Sequence, residues 1–114
     1  MSDAAFTHLT ADFAGIDPER LRDAGLITGL VVAAAGAVGL APTGAPLVRE
    51  LPDGIVVGSL MLEGSHVVAH SVPAQGLLLL DILATAQHDV RKAVDLFTRR
   101  LGAHEVRSDV RPRG

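Results

Sequence analysis

Hydrophobic and polar positions alternate with a period of two in several short segments, and this alternation is typical of β-strands. The predicted strands cover residues 5–14, 38–49, 55–63, 65–72, 76–85 and 103–110. Turns rich in proline and glycine separate them. The run GLLLLDILAT at 76–85 is almost continuously apolar, which predicts a central strand that is buried on both faces.

Two further segments have the period of an amphipathic α-helix. The first begins at Asp17 and Pro18, a capping residue followed by the residue that suits the first helical position, and is predicted to end at Gly36. The second covers residues 88–101 and carries apolar and charged residues on opposite faces. The face of the first helix that is predicted to be buried comprises Leu21, Ala24, Gly25, Thr28, Val31, Val32 and Ala35.

The predicted order of elements is β-α-β-β-β-β-α-β. This order indicates an α+β fold, in which an antiparallel or mixed β-sheet carries two helices packed on one face. Hydrophobic residues make up 48% of the 114 positions and aromatic residues only 3%, so the core must consist of Leu, Val, Ala and Ile. With no repeat or linker in the sequence, we expect a single domain over residues 1–114.

Charge and cysteine content exclude several functions. The formal net charge of −3 argues against nucleic acid as a partner, because phosphate binding requires a basic surface. The absence of cysteine excludes disulfides, cysteine-ligated zinc and thiol catalysis. The apolar stretch 25–42 is long enough for a membrane span, but its four glycines favour a buried helix followed by a strand. We expect a cytoplasmic protein with no signal peptide and no membrane partner.

Residues 63–73 (EGSHVVAHSVP) are the segment best suited to chemistry. The hydroxyl of Ser65 can attack the carbonyl of Gly64 and move the acyl group from nitrogen to oxygen. Elimination and hydrolysis of the ester then leave a pyruvoyl group at Ser65. Gly64 tolerates the strained backbone that this attack needs. The base that removes the Ser65 Cα proton is expected to be a histidine, His66 or His70, because imidazole titrates near neutral pH.

The same segment is also compatible with a metal site or with a purely structural role. Glu63, His66 and His70 are metal-ligand types, but a spacing of four suits zinc on a helix, whereas the flanking residues predict a strand. The segment also fits an ordinary turn followed by two strand histidines. Elsewhere, Asp81 is expected to be a structural carboxylate that needs a partner, and His88 is expected to face water.

The pattern SHxxxHxxPxxGxxxxDI over residues 65–82 resembles the S-adenosylmethionine decarboxylase family of bacteria and archaea. The segment HLTADFAG at 8–15 is similar to the opening strand of that family, and LPDG at 51–54 is similar to its Pro-x-Gly turn. The final Arg113-Gly114 is similar to the family's usual ending. The resemblance therefore covers nearly the whole chain.

This resemblance implies a self-processed enzyme. Cleavage between Gly64 and Ser65 would give a β chain of residues 1–64 and an α chain of residues 65–114, with the pyruvoyl cofactor derived from Ser65. His70 would match the processing histidine. The pyruvoyl group would form a Schiff base with an amino-acid-type substrate and accept electrons as carbon dioxide leaves, on the route to spermidine. Family members are dimers, so the expected partner is a second copy or a homologue.

Several positions depart from the family pattern. Thr85 stands where the family has its catalytic cysteine, and a hydroxyl is a far weaker acid than a thiol. Glu50 stands where an aromatic residue helps to bind adenine, and Ala74 replaces a carboxylate. Gly64 also occupies the place of a glutamate, which leaves Glu63 as that carboxylate displaced by one position.

These departures leave three hypotheses for the function. The chain is a pyruvoyl-dependent decarboxylase of S-adenosylmethionine, with Ser65, His70 and Thr85 as catalytic residues. Alternatively, it is a pyruvoyl decarboxylase of another amino acid such as ornithine or arginine, whose positive charge Glu50 would bind. The third hypothesis is a non-catalytic paralogue that acts as a binding partner of an active homologue.

Overall fold

The computed structural model describes residues 4–114, which form six strands and three helices. The strands are β1 (Phe6–Ala14), β2 (Leu47–Glu50), β3 (Val56–Leu62), β4 (Ser65–Val72), β5 (Leu77–Thr85) and β6 (Glu105–Arg113). The helices are α1 (Pro18–Leu21), α2 (Ala24–Val38) and α3 (Arg91–Leu101).

All six strands belong to one sheet with the order β2-β3-β4-β5-β1-β6, and every neighbouring pair is antiparallel. Helix α2 packs against β3 and β4, and α3 packs against β1 and α2. The aromatic rings of Phe13 in β1 and Phe97 in α3 are 5.8 Å apart between centroids and are both fully buried. The predicted α+β fold is thus confirmed, with an antiparallel sheet.

The first predicted helix is in fact two helices. Asp17 caps α1 as predicted, because its side chain accepts a hydrogen bond from the backbone N–H of Glu19 at 3.0 Å. A second cap, Asp23, then accepts from the N–H of Leu26 at 3.0 Å and begins α2. Since this restart changes the phase of the helix, Gly25 and Val32 of the predicted buried face are exposed.

Helix α2 also continues past the predicted end at Gly36. It ends at Gly39, whose φ of 86° lies in the left-handed region that glycine tolerates. This conformation lets the N–H of Leu40 donate to the carbonyl of Ala35 at 2.9 Å, as in a Schellman motif. Among the helices of residues 4–114, none is long and apolar enough to cross a membrane.

Two predicted strands have different bounds in the structure. The strand predicted over 38–49 is only β2, because α2 extends to Val38 and a loop at residues 40–46 follows it. Within this loop, Pro42 forms an isolated bridge to Leu62 at the end of β3. The last strand, predicted over 103–110, is β6 at Glu105–Arg113, because the left-handed Gly102 closes α3 first.

The prediction that strand 76–85 is buried on both faces was wrong. Strand β5 is central, paired with β4 and β1, but only alternate side chains lie under the helices. No described element packs on the opposite face, which we call the open face, and Leu79 there is 39% exposed. By strand alternation and register, the open face carries Phe6, His8, Leu47, Val57, Met61, His66, Val68, His70, Leu79, Asp81 and Leu83.

Candidate functional site

A two-residue turn, Glu63-Gly64, connects the antiparallel strands β3 and β4, and Leu62 pairs with Ser65 across it. Gly64 has a φ of 70°, and a Cβ atom built there would meet nothing within 4 Å. Glycine is therefore required for the backbone conformation and not for space. The N–H of Glu63 donates to the carbonyl of Ala41 at 3.2 Å, so the loop after α2 holds the turn in place.

Ser65, the first residue of β4, is 5% exposed, and its Oγ has no hydrogen-bond partner among residues 4–114. Buried polar atoms in proteins are nearly always hydrogen-bonded, and an unpaired one costs about 1–3 kcal/mol. The second buried serine, Ser71, follows this rule, since its Oγ accepts from the N–H of Val56 at 2.9 Å. An unpaired hydroxyl beside the Gly64 carbonyl therefore marks Ser65 as chemically unusual.

The histidines of β4 lie on the opposite side of the sheet from Ser65. Burial alternates along β4 as the sequence predicted, with Ser65 under the helices and both His66 and His70 on the open face. His70 is also five residues farther along the strand, which corresponds to about 17 Å at the rise of a β-strand. Within one subunit, the structure therefore does not bring His70 to the hydroxyl of Ser65.

At the end of the sheet where the turn lies, Thr85 ends β5 and forms a pair with a histidine. The Oγ1 atom of Thr85 is 2.8 Å from Nδ1 of His88, and both residues are half-buried. The prediction that His88 faces water was therefore wrong; its signal in the sequence is the Thr85-x-x-His88 spacing after a strand. A cavity of about 310 Å³ at this pair is lined by Gly39, Leu40, Ala41, Glu63, Thr85, Gln87 and His88.

A second cluster of polar side chains lies on the open face. The carboxylate of Asp81 is 3.1 Å from Nε2 of His8 and 3.2 Å from Nε2 of His66, so it has the partners that a structural carboxylate needs. Arg113 lies 3.0 Å from Nδ1 of His8. Because arginine can only donate, Nδ1 of His8 must accept, and its Nε2–H then donates to Asp81. These residues line a cavity of about 420 Å³.

The three candidate metal ligands do not converge on one point. Glu63 lies on the turn, His66 contacts Asp81, and His70 lines a separate cavity of about 250 Å³. Within the described range 4–114, no group of three or more such side chains is arranged to hold a metal ion. The structure thus gives no support to the metal alternative for this segment.

Glu50 lies at the end of the sheet opposite to the turn. It is exposed at the end of β2 and pairs with Val56, the first residue of β3, whereas the turn follows Leu62 at the far end of β3. The separation along the strand is about 20 Å, from six residues of strand rise. Within one subunit, Glu50 therefore does not belong to the same site as Ser65.

A six-stranded antiparallel sheet with helices on one face defines this molecule as a two-layer α+β protein. The family model described as S-adenosylmethionine decarboxylase matches residues 7–114, and the chain belongs to this family. The structure is similar to the crystal structure of the adenosylmethionine decarboxylase from Aquifex aeolicus VF5, with a TM-score of 0.87 and 21% sequence identity. That match covers 99% of this chain and 93% of the Aquifex chain and shows the same fold. A search of curated protein sequences gave no significant match.

Proposed function

We propose that this chain is a pyruvoyl-dependent decarboxylase of the S-adenosylmethionine type that acts in spermidine biosynthesis and is processed between Gly64 and Ser65. The family and the fold support a decarboxylase of this type. The observation that carries the proposal is the buried, unpaired hydroxyl of Ser65, placed directly after a glycine of positive φ. The residues present at the turn therefore fit a pyruvoyl group.

The processing reaction uses atoms of Gly64 and Ser65 only, together with a base and water. The Oγ of Ser65 bonds to the Gly64 carbonyl carbon, and the bond from that carbon to the Ser65 nitrogen breaks. Loss of the Ser65 Cα proton then breaks the Cβ–Oγ bond, which releases a carboxylate on Gly64 and leaves dehydroalanine at position 65. Water converts the dehydroalanine to a pyruvoyl group with release of ammonia. The burial of Ser65 slows direct hydrolysis of the ester.

The pyruvoyl group, once formed, supplies a carbonyl that captures the substrate amine and withdraws electrons from the bond to the carboxylate. Close to the turn, the chain offers a carboxylate, a hydroxyl and an imidazole from Glu63, Thr85 and His88, which line one cavity whose lining does not include Ser65 itself. These groups can orient the substrate and move protons.

A homodimer is part of the same proposal. For its role in processing, His70 must reach a Ser65. In its own subunit, the sheet lies between the two side chains. A second copy packed through the open faces would bring its His70 to the backbone of the turn and the Cα proton of Ser65, while the Ser65 hydroxyl stays on the helix side of its own sheet. The open face has the apolar surface for this packing, since Leu79, Met61 and Leu47 on it are 39%, 61% and 58% exposed. A cytoplasmic location stays a prediction.

Denaturing mass spectrometry of the purified protein tests the processing. We expect two fragments, residues 1–64 and residues 65–114, with the second blocked at its first residue. Ser65→Ala removes the attacking hydroxyl and should give one intact chain of 114 residues. A wild-type protein that stays intact with an ordinary serine at position 65 would contradict the proposed processing. It would support the hypothesis of a non-catalytic paralogue that shares the family and the fold.

Release of carbon dioxide from labelled S-adenosylmethionine, ornithine and arginine then identifies the substrate class. Glu50 is exposed about 20 Å from the turn of its own subunit, so it can bind a cationic amino acid at the site only if a second copy brings it there. If such an amino acid is the substrate, Glu50→Gln should raise its KM by about tenfold, the effect of losing one charge-assisted hydrogen bond. An unchanged KM for every substrate that turns over would remove Glu50 from the site.

A further inference from the structure

Decarboxylation leaves an electron pair on carbon, and this carbon must receive a proton before the product can leave. The cavity beside the turn offers Thr85 for this delivery, but a hydroxyl by itself is a weak acid. The Nδ1 atom of His88 lies 2.8 Å from Thr85 Oγ1 and 3.3 Å from the Thr85 carbonyl oxygen. An imidazole in contact with the hydroxyl can supply a proton to its oxygen as the hydroxyl proton leaves.

We propose that His88 is the proton source for Thr85. His88 acts as a positioning residue: its protonated ring passes a proton to the Thr85 hydroxyl while that hydroxyl donates its own proton to the substrate carbon. This proposal rests on the proposed function. In the step, a C–H bond forms and the Thr85 Oγ–H bond breaks. The Nδ1–H proton of His88 passes to Oγ at the same time, so the threonine never becomes an alkoxide. His88 is left neutral and regains its proton from solvent.

The surroundings of His88 favour this use of the ring. Its Nε2 atom has no hydrogen-bond partner among residues 4–114, so one ring nitrogen bonds Thr85 while the second stays available. The end of α2 packs beside the ring, since a Cβ built on Gly39 would lie 3.8 Å from Cδ2 of His88. This end of α2 brings no titratable side chain to the ring. The charged neighbours are Glu63 in the cavity and Asp89, which accepts from the N–H of Arg91 at 3.1 Å.

The kinetic test combines two substitutions in the processed enzyme. His88→Asn keeps a hydrogen-bonding atom near the place of Nδ1 but cannot carry a proton. With Thr85 present, we expect it to lower kcat by about 100-fold, with KM changed by less than about twofold. In a Thr85→Cys background, the thiol is itself an adequate acid. There the same His88→Asn change should cost less than about threefold in kcat.

A second readout is independent of activity. In the uncleaved Ser65→Ala chain, ¹⁵N NMR reports hydrogen bonding at each imidazole nitrogen. Thr85→Val removes the hydroxyl and should move the Nδ1 resonance of His88. The resonances of His104, whose backbone N–H donates to the carbonyl of Ala14 at the end of β1 far from Thr85, should stay in place and serve as the control.

The outcomes separate this proposal from the proposed function. Equal losses of kcat from His88→Asn in the Thr85 and Thr85→Cys backgrounds would show that His88 has a structural role. That result would overturn the role of His88 as proton source and leave the proposed function standing. A His88 resonance that does not respond to Thr85→Val would do the same, because it would show that the pair does not form. An intact wild-type chain would instead overturn the proposed function, and the catalytic use of the pair with it.

Discussion

Ser65 and Ser71 are the polar side chains that are buried in residues 4–114, and their hydroxyls have opposite roles. The Ser71 hydroxyl satisfies a buried backbone donor of the sheet, because it accepts a hydrogen bond from the N–H of Val56. The Ser65 hydroxyl has no hydrogen-bond partner among the described residues and directly follows the Gly64 carbonyl at the proposed cleavage site. At the scale of single residues, the structural serine and the serine proposed to react therefore differ in hydrogen bonding and not in burial.

The role of Ser71 predicts a loss of stability. Ser71→Ala leaves the N–H of Val56 buried without an acceptor, which should lower the free energy of unfolding by about 1–3 kcal/mol. Urea denaturation in the uncleaved Ser65→Ala background measures this change. Ser59→Ala is the matched control, because Ser59 is only half-buried and its 3.4 Å bond to Leu47 is weak; we expect it to cost less than about 0.5 kcal/mol. Equal costs for the two serines would contradict the assignment.

At the scale of elements, two glycines show how α2 sits on the sheet. Gly58 of β3 lies under the helix, where a Cβ would be 3.4 Å from Ile27 and 3.6 Å from Val31. Gly29 of α2 points away from the sheet, and a Cβ there would meet nothing within 4 Å. A Cβ alone would make ordinary van der Waals contact here, so the spacing between α2 and β3 leaves room for a methyl group but not for the two further methyl groups of valine.

This packing predicts substitutions of opposite sign. Gly58→Val improves strand propensity but overpacks the contact with α2, so we expect the free energy of unfolding to fall by about 1–3 kcal/mol. Gly29→Ala adds a methyl group to a solvent-facing helix position and should raise it by about 0.5–1 kcal/mol. Both are measured by urea denaturation of the uncleaved chain. If Gly58→Val proved neutral or stabilising, α2 would not pack on β3 as described.

At the scale of the whole molecule, the sheet separates groups that the sequence places close together. Ser65 and His70 are five positions apart, yet they lie on opposite faces of β4 and at different ends of it. In the proposed homodimer, packing of the two open faces would bring His70 of one copy to the backbone at the turn of the other, in a closed two-fold pair.

Co-expression of two variants tests this arrangement. Alone, a tagged His70→Ala chain should be cleaved slowly and Ser65→Ala not at all. Together, His70 of the Ser65→Ala chain can serve the tagged chain across the interface. At equal expression, random pairing predicts cleavage of roughly half of the tagged chains. Denaturing mass spectrometry reads out the fraction cut.

Two results of the co-expression would count against the dimer site. A tagged chain that stays uncut in the mixture would place the action of His70 within its own subunit. Rapid cleavage of His70→Ala alone would remove His70 from processing altogether. His66→Ala is the companion variant, because His66 shares the face of His70 but bonds to Asp81, so its loss should affect processing less.

The sequence by itself determined the class of fold, the order of most elements and the candidate cleavage site. Strand alternation and the Asp17-Pro18 cap are local signals that short stretches of chain fix through backbone preferences. The turn at Gly64 and the serine after it are local in the same sense. The Gly64-Ser65 pair therefore needed no tertiary information, whereas the placement of His70 and Glu50 did.

Only the tertiary structure decided where side chains from distant positions meet. The break before α2, the exposed face of β5, the pair of Thr85 with His88 and the partners of Asp81 depend on contacts between elements. Burial and hydrogen-bond partners are set by how helices cover a sheet, and no local pattern encodes which face stays open. For the same reason, the lack of a partner for the Ser65 hydroxyl became visible only once its buried surroundings were known.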